Sequence, residues 1–113
     1  MLSEIGFLHL KNVPNYDEED LYETVREFHA MPQSVLHKLK PNHYVKDNKN
    51  IYRGWFPFLD NDIAHKEFFD MGCPDESFYQ GEQSKYPLVE ETPFPKEAKY
   101  RTIVRKYKEY WHM

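Results

Sequence analysis

Tyr100, Ile103, Val104, Tyr107, Tyr110 and Trp111 recur at spacings of three and four, which sets them on one face of a helix running from about Lys96. An apolar face of that size must be covered by something. The stripe is still running at Trp111-His112-Met113, with no Gly, Asn or Pro to close the last turn, so the chain is expected to be truncated there. The opposite side of this helix carries Lys96, Lys99, Arg101, Arg105, Lys106 and Lys108. A basic face of this kind can meet nucleic acid or simply be solvated. The chain as a whole has a formal charge of −4, which gives no general attraction to nucleic acid or to an anionic membrane, and the solvated reading is preferred.

Upstream, two shorter helices are predicted. Asp17 is placed to cap the first, with Glu18, Glu19 and Asp20 set against its amino-terminal dipole and Leu21, Tyr22, Val25 and Phe28 as its apolar stripe, ending near Met31. Pro32 suits the first turn of the second, where Val35, Leu36 and Leu39 hold helical spacing before Pro41. Three segments have strand character. Residues 5–10 form a short apolar run, read as a buried strand closed by a turn at 12–15. Residues 51–58 are aromatic, with Gly54 allowing a bulge or close backbone approach and Pro57 marking an edge or end. Residues 66–71 are the third. The polar stretch 42–50 reads as a surface loop, and 73–95, with four of the eight prolines, as an extended connection over the surface.

Nineteen Phe, Tyr and Trp side chains in 113 residues are far more core-forming material than a disordered segment carries, so one modest α+β domain is expected. The single Cys73 cannot form an internal disulfide and reads as a small half-buried side chain. Without a basic-then-apolar leader, and with no apolar run near the roughly 20 residues a bilayer requires, the expected location is the cytoplasm.

The order of several motifs adds to this reading. Gly6-Phe7-Leu8-His9-Leu10-Lys11-Asn12, an acidic helix, Met31-Pro32, Tyr52-Arg53-Gly54-Trp55-Phe56-Pro57 and Lys66-Glu67-Phe68-Phe69-Asp70-Met71-Gly72 together resemble the amino-terminal domain of the non-haem dioxygenases, the isopenicillin N synthase-like iron(II)/2-oxoglutarate oxygenases. That family commonly reads GFF-x-L-x-N, a helix ending in LP, then YRGYFP and KE-x-FDIG. The likeness spans residues 6 to 110, with Asn12-Val13-Pro14 departing from the family's usual Asn-His-Gly. It implies that residues 1–113 are a single partial domain, truncated at both ends. It also implies an oxidoreductase parent whose catalytic jelly roll, iron(II) and 2-oxoglutarate lie beyond this chain.

In that family the metal is held by H-x-D and a distant His, a two-histidine, one-carboxylate face. This chain has no H-x-D and no R-x-S of the kind that anchors the co-substrate. His65-Lys66-Glu67 with His112 makes a triad only on paper, because His65 falls beside the motif at 66–72 and His112 at a helix end. No catalytic or metal-binding residue is assigned. Tyr52, Arg53 and Trp55 are the candidate substrate-pocket residues, since the matching family motif lies near the pocket mouth and Arg53 offers a forked cation for a carboxylate. The competing and preferred reading pairs Arg53 with an acidic neighbour and lets Tyr52, Trp55 and Phe56 alternate across a strand.

Two functions follow from these expectations. The chain is either a scaffold for an oxygenase, partnered by its missing jelly roll or a full-length relative and serving a small-molecule substrate, or a non-catalytic module that binds protein through an open strand edge and an aromatic helix face. Either way the aromatic surfaces at 51–56 and 107–111 are expected to lack cover, with marginal stability or self-association as the consequence.

Overall fold

Local capping and helical spacing account for most of the helical layer. A computed structural model describes residues 6–42, 50–61, 63–75 and 90–113. Helix α1, Glu18–His29, starts where Asp17 Oδ1 accepts from the backbone N–H of Asp20 at 3.0 Å, and Glu18, Glu19 and Asp20 occupy its positive end. Pro32 then opens α2, Gln33–Leu36, which tightens into a 3-10 turn, His37–Leu39. Val35, Leu36 and Leu39 are all buried there, as their spacing requires. Further on, a 3-10 turn at Ala98–Tyr100 leads into α3, Arg101–Trp111.

The strands are shorter than their sequence runs. β1, Gly54–Phe56, pairs antiparallel with β2, Phe68–Asp70, in the register Gly54 with Asp70, Trp55 with Phe69 and Phe56 with Phe68. Pro57 ends β1 because it has no N–H to give to a ladder. The Phe56 and Phe68 rings stack across the pair at 4.4 Å, which is the expected way for facing aromatics to hold a short ribbon. Gly54 makes the close approach read from the sequence: its φ is +133°, and a Cβ there would stand 2.1 Å from the carbonyl oxygen of Leu39.

The core lies between the helices and this ribbon: Phe28, Met31, Val35, Leu36, Leu39, Trp55, Tyr100 and Ile103 are buried together, with Phe69 and Tyr107 packed against them. Phe28 meets Phe69 at 4.5 Å and Tyr107 at 5.1 Å between ring centroids, so α1, β2 and α3 share one aromatic contact. Among the described residues the architecture is a small α+β fold of three helices and a two-stranded antiparallel sheet.

Four expectations need correction. Residues 6–10 are not a buried strand; they pair with no strand among the described residues, and Phe7 is 67 % exposed. An apolar run encodes the wish to be buried but not the neighbour that supplies hydrogen bonds. On α1, Tyr22 is exposed and Thr24 takes the core position instead. Thr24 can be buried because its hydroxyl donates to the Asp20 carbonyl at 2.7 Å. On α3, Tyr107 and Tyr110 do not await an outside partner. Tyr107 packs on Phe28 and Phe69, Tyr110 is tied to α1 through its hydroxyl, and only Trp111 of the three is mainly exposed. Finally, 73–95 is not all surface: Glu90 and Pro95 are buried. Most of that stretch, 76–89, and most of the loop expected at 42–50 lie outside the described residues.

The candidate site along the first strand

The three residues singled out from sequence sit on or just before β1, and the strand sends them to different environments. Tyr52 is exposed. Arg53 is half-buried, and its Nη1 donates to Asp70 Oδ1 at 2.8 Å across the ribbon. Its Nε is also buried, with no acceptor among the described residues. Trp55 is only 2 % exposed, its ring edge-on to His37 at 5.3 Å. The acidic partner for Arg53 and the alternation of the aromatics are thus both present.

Two carboxylates organise this strand: Glu67, which the sequence reading named only in the triad on paper, and Glu90, which it did not single out. Glu67 Oε1 accepts from Trp55 Nε1 and lies against His29 Nδ1, each at 2.6 Å, so it joins the ribbon to the end of α1. Burial pushes the Glu67 carboxyl up, but the contacts from His29 and then Trp55 outweigh it and hold it below the usual glutamate range. Glu90 is 6 % exposed. Its carboxylate accepts three successive backbone N–H groups, from Ile51 at 2.8 Å and from Tyr52 and Arg53 at 2.5 Å each. Glu67 stood inside a quoted motif, beside an indole donor two strand positions from Arg53. Glu90 had no signal, because backbone donors leave no trace in residue identity.

A third carboxylate lies on the other side of the helical layer. Asp20 accepts from Lys106 Nζ and, at 2.6 Å, from the Tyr110 hydroxyl. The Lys106 ammonium, then the Tyr110 hydroxyl, hold the Asp20 carboxyl below its ordinary value, and the same contact raises Lys106. Tyr110 is pushed up to about 12 by its hydrogen bond to Asp20, and Tyr107 to about 12 by burial alone.

These groups hold elements of the fold together. His29 and Glu67 supply two metal-type donors side by side, but among the described residues no three His, Cys, Asp or Glu side chains come together as ligands. His65 instead lies on the Phe58 ring and His112 against Trp111, so His65, Glu67 and His112 are dispersed. The basic face of α3 is partly spent internally: Lys106 on Asp20, Arg105 on Glu109 at 2.7 Å and Lys108 over the Phe94 ring. Among the described residues no helix is long and apolar enough to cross a membrane.

Comparison of the chain with protein-family models, with curated proteins and with solved structures finds no match. The family resemblance therefore rests on the sequence motifs themselves.

Proposed function

We propose that this chain is the amino-terminal scaffold domain of a cytoplasmic non-haem iron(II)/2-oxoglutarate-dependent oxygenase, bearing against a jelly roll supplied by another stretch of polypeptide. The observation that carries the reading is the meeting of two motifs. Residues 52–57 and 66–72, which the resemblance picks out separately, are antiparallel partners here, and their polar side chains engage each other as Arg53 with Asp70 and Trp55 with Glu67. A pair of motifs that specify one another's partners is a unit of structure, which is what a scaffold requires.

In this reading the described donor set of the chain does not fit the iron, since a facial triad needs three ligands; metal and 2-oxoglutarate belong to the jelly roll, where they oxidise a bound small molecule. Tyr52, exposed, and Arg53, with its buried Nε still without an acceptor among the described residues, would then flank the substrate entrance, while Trp55 supports them from the core. The exposed Phe7, Leu8 and Leu10 favour a second reading, a non-catalytic protein-binding module, though its aromatic helix face is reduced to Trp111. The size of the endogenous product separates the two. A band well above 13.8 kDa that consumes 2-oxoglutarate with iron(II) supports the oxygenase; a band at 13.8 kDa without that activity defeats it.

A further inference from the structure

The buried Glu90 carboxylate is unusual in its partners. All three of its donors are main-chain N–H groups on consecutive residues, 51–53, immediately before β1, and both carboxylate oxygens are engaged. Successive amides turned into one concavity make an anion site whose selectivity comes from backbone geometry and not from a cationic side chain. The site is rigid on both sides. Gly54, which follows it, is pressed against the Leu39 carbonyl and within 3.1 Å of Pro93 Cγ for a built Cβ, and Arg53 is tied to Asp70.

The segment that delivers Glu90 is itself seated in a regular way. Thr92 Oγ1 accepts from the Gly72 N–H at 2.9 Å, and the Phe94 ring meets Phe69 at 5.6 Å. Residues 90, 92 and 94 thus reach the ribbon and its flanks, Pro93 lies beside Gly54, and Glu91 is exposed. Glu90 grips the start of β1 while Thr92 grips the residues just past the end of β2, two points brought side by side by the Gly54 and Asp70 pairing.

We propose that the 51–53 turn is a preformed carboxylate-binding nest, that Glu90 is its built-in ligand, and that a small free carboxylate takes the same place when the Glu90 side chain is removed. The chemistry recognised is a planar anion with two oxygens and room for three N–H donors, as in formate or acetate. This site is independent of the oxygenase reading and survives its failure.

Chemical rescue tests it on the full chain. Glu90→Ala is expected to lower Tm by about 10 °C, since three part-buried donors lose their acceptor. About 0.5 M sodium formate is expected to raise the Tm of that variant by roughly 5 °C in a saturable way, as a ligand that binds only the folded state does, with sodium chloride at the same concentration giving less than about 1 °C. The unsubstituted protein, whose nest is filled, is expected to respond alike to both salts. Equal responses of Glu90→Ala to formate and chloride would overturn the proposal. Should Glu90→Ala not fold, amide exchange in the unsubstituted protein decides: the N–H groups of Ile51, Tyr52 and Arg53 are expected to exchange at least about tenfold more slowly than free peptide amides, and exchange at the free rate would sink it.

Discussion

Asp20 and Glu90 both use a carboxylate to join parts of the chain that are far apart, yet they do it in opposite ways. Asp20 reaches across 86 and 90 positions to Lys106 and Tyr110, but it bonds side chains only, with 38 % of its own side chain in solvent. Glu90 reaches back 37 to 39 positions and, among the described residues, bonds main chain from a buried position. An exposed ion pair in high dielectric loses much of its attraction to screening and to the entropy of holding long side chains. A buried carboxylate on three amides keeps its attraction, and removing it strands three donors. The ribbon end is thus the rigid seam of the fold, and the contact between α1 and α3 is the one that solution conditions can adjust.

The harshest way to break this contrast is to disturb the backbone beside Glu90. Gly54→Ala adds a Cβ at 2.1 Å from the Leu39 carbonyl at a φ of +133°, and a loss of more than about 4 kcal/mol is expected, visible as the absence of a cooperative melt by circular dichroism. A normal melt would mean that the ribbon and the helical layer do not meet as tightly as described.

Glu90→Gln is milder, because one oxygen acceptor remains and shape is kept. It should cost about 2–3 kcal/mol, and urea unfolding should give the same loss at low and high salt.

Asp20→Asn is expected to shift Tm by only a few degrees, and that gap should close in about 1 M salt, where screening acts over roughly 3 Å. Since the folded state holds the Asp20 carboxyl below its ordinary value, its contribution is complete above the unfolded pKa of about 3.9 and is lost as pH falls through the lower folded value. Parallel acid melts of the two proteins should therefore converge. A salt-insensitive loss as large as that of Glu90→Gln would erase the distinction drawn between the two carboxylates.

The smallest effect at neutral pH belongs to Tyr107→Phe, which removes the hydroxyl of a half-buried side chain and keeps the ring on Phe28. Its signature is alkaline. A phenol pushed up to about 12 by burial stabilises fully below its unfolded pKa near 10 and loses that contribution as pH rises through the folded value. The phenylalanine variant should hold its Tm further into base than the unsubstituted protein. Identical alkaline limbs would place Tyr107 in a wetter setting than its packing indicates.

How much of this could be read beforehand follows the kind of interaction involved. Side-chain periodicity and capping are written in residue identity, so Asp17 as cap, the burial of Val35, Leu36 and Leu39, the stop at Pro57 and the tight approach at Gly54 were all legible. Asn12 and Asn15 both adopt left-handed backbone, at φ 55° and 61°, in the turn their composition announced. Residues 6–10 failed because pairing is a property of two segments and only one was in view. Thr24 failed because its hydroxyl is satisfied by a carbonyl one turn back, which hydropathy cannot see. Of the candidate residues Trp55 lies on β1 and Tyr52 and Arg53 just before it, and their separate destinations, Arg53 on Asp70 and Trp55 on Glu67, depend on a register that only the paired ribbon defines.

The strap at 90–95 also sets an order of events during synthesis. When the ribosome has made residues 51–72, both strands exist, yet the amides that open the first of them have no acceptor until Glu90 emerges, and Asp20 finds Lys106 and Tyr110 later still. The nascent ribbon is therefore left ajar for the time needed to add the 18 residues from 72 to 90, on the order of one to four seconds at common elongation rates.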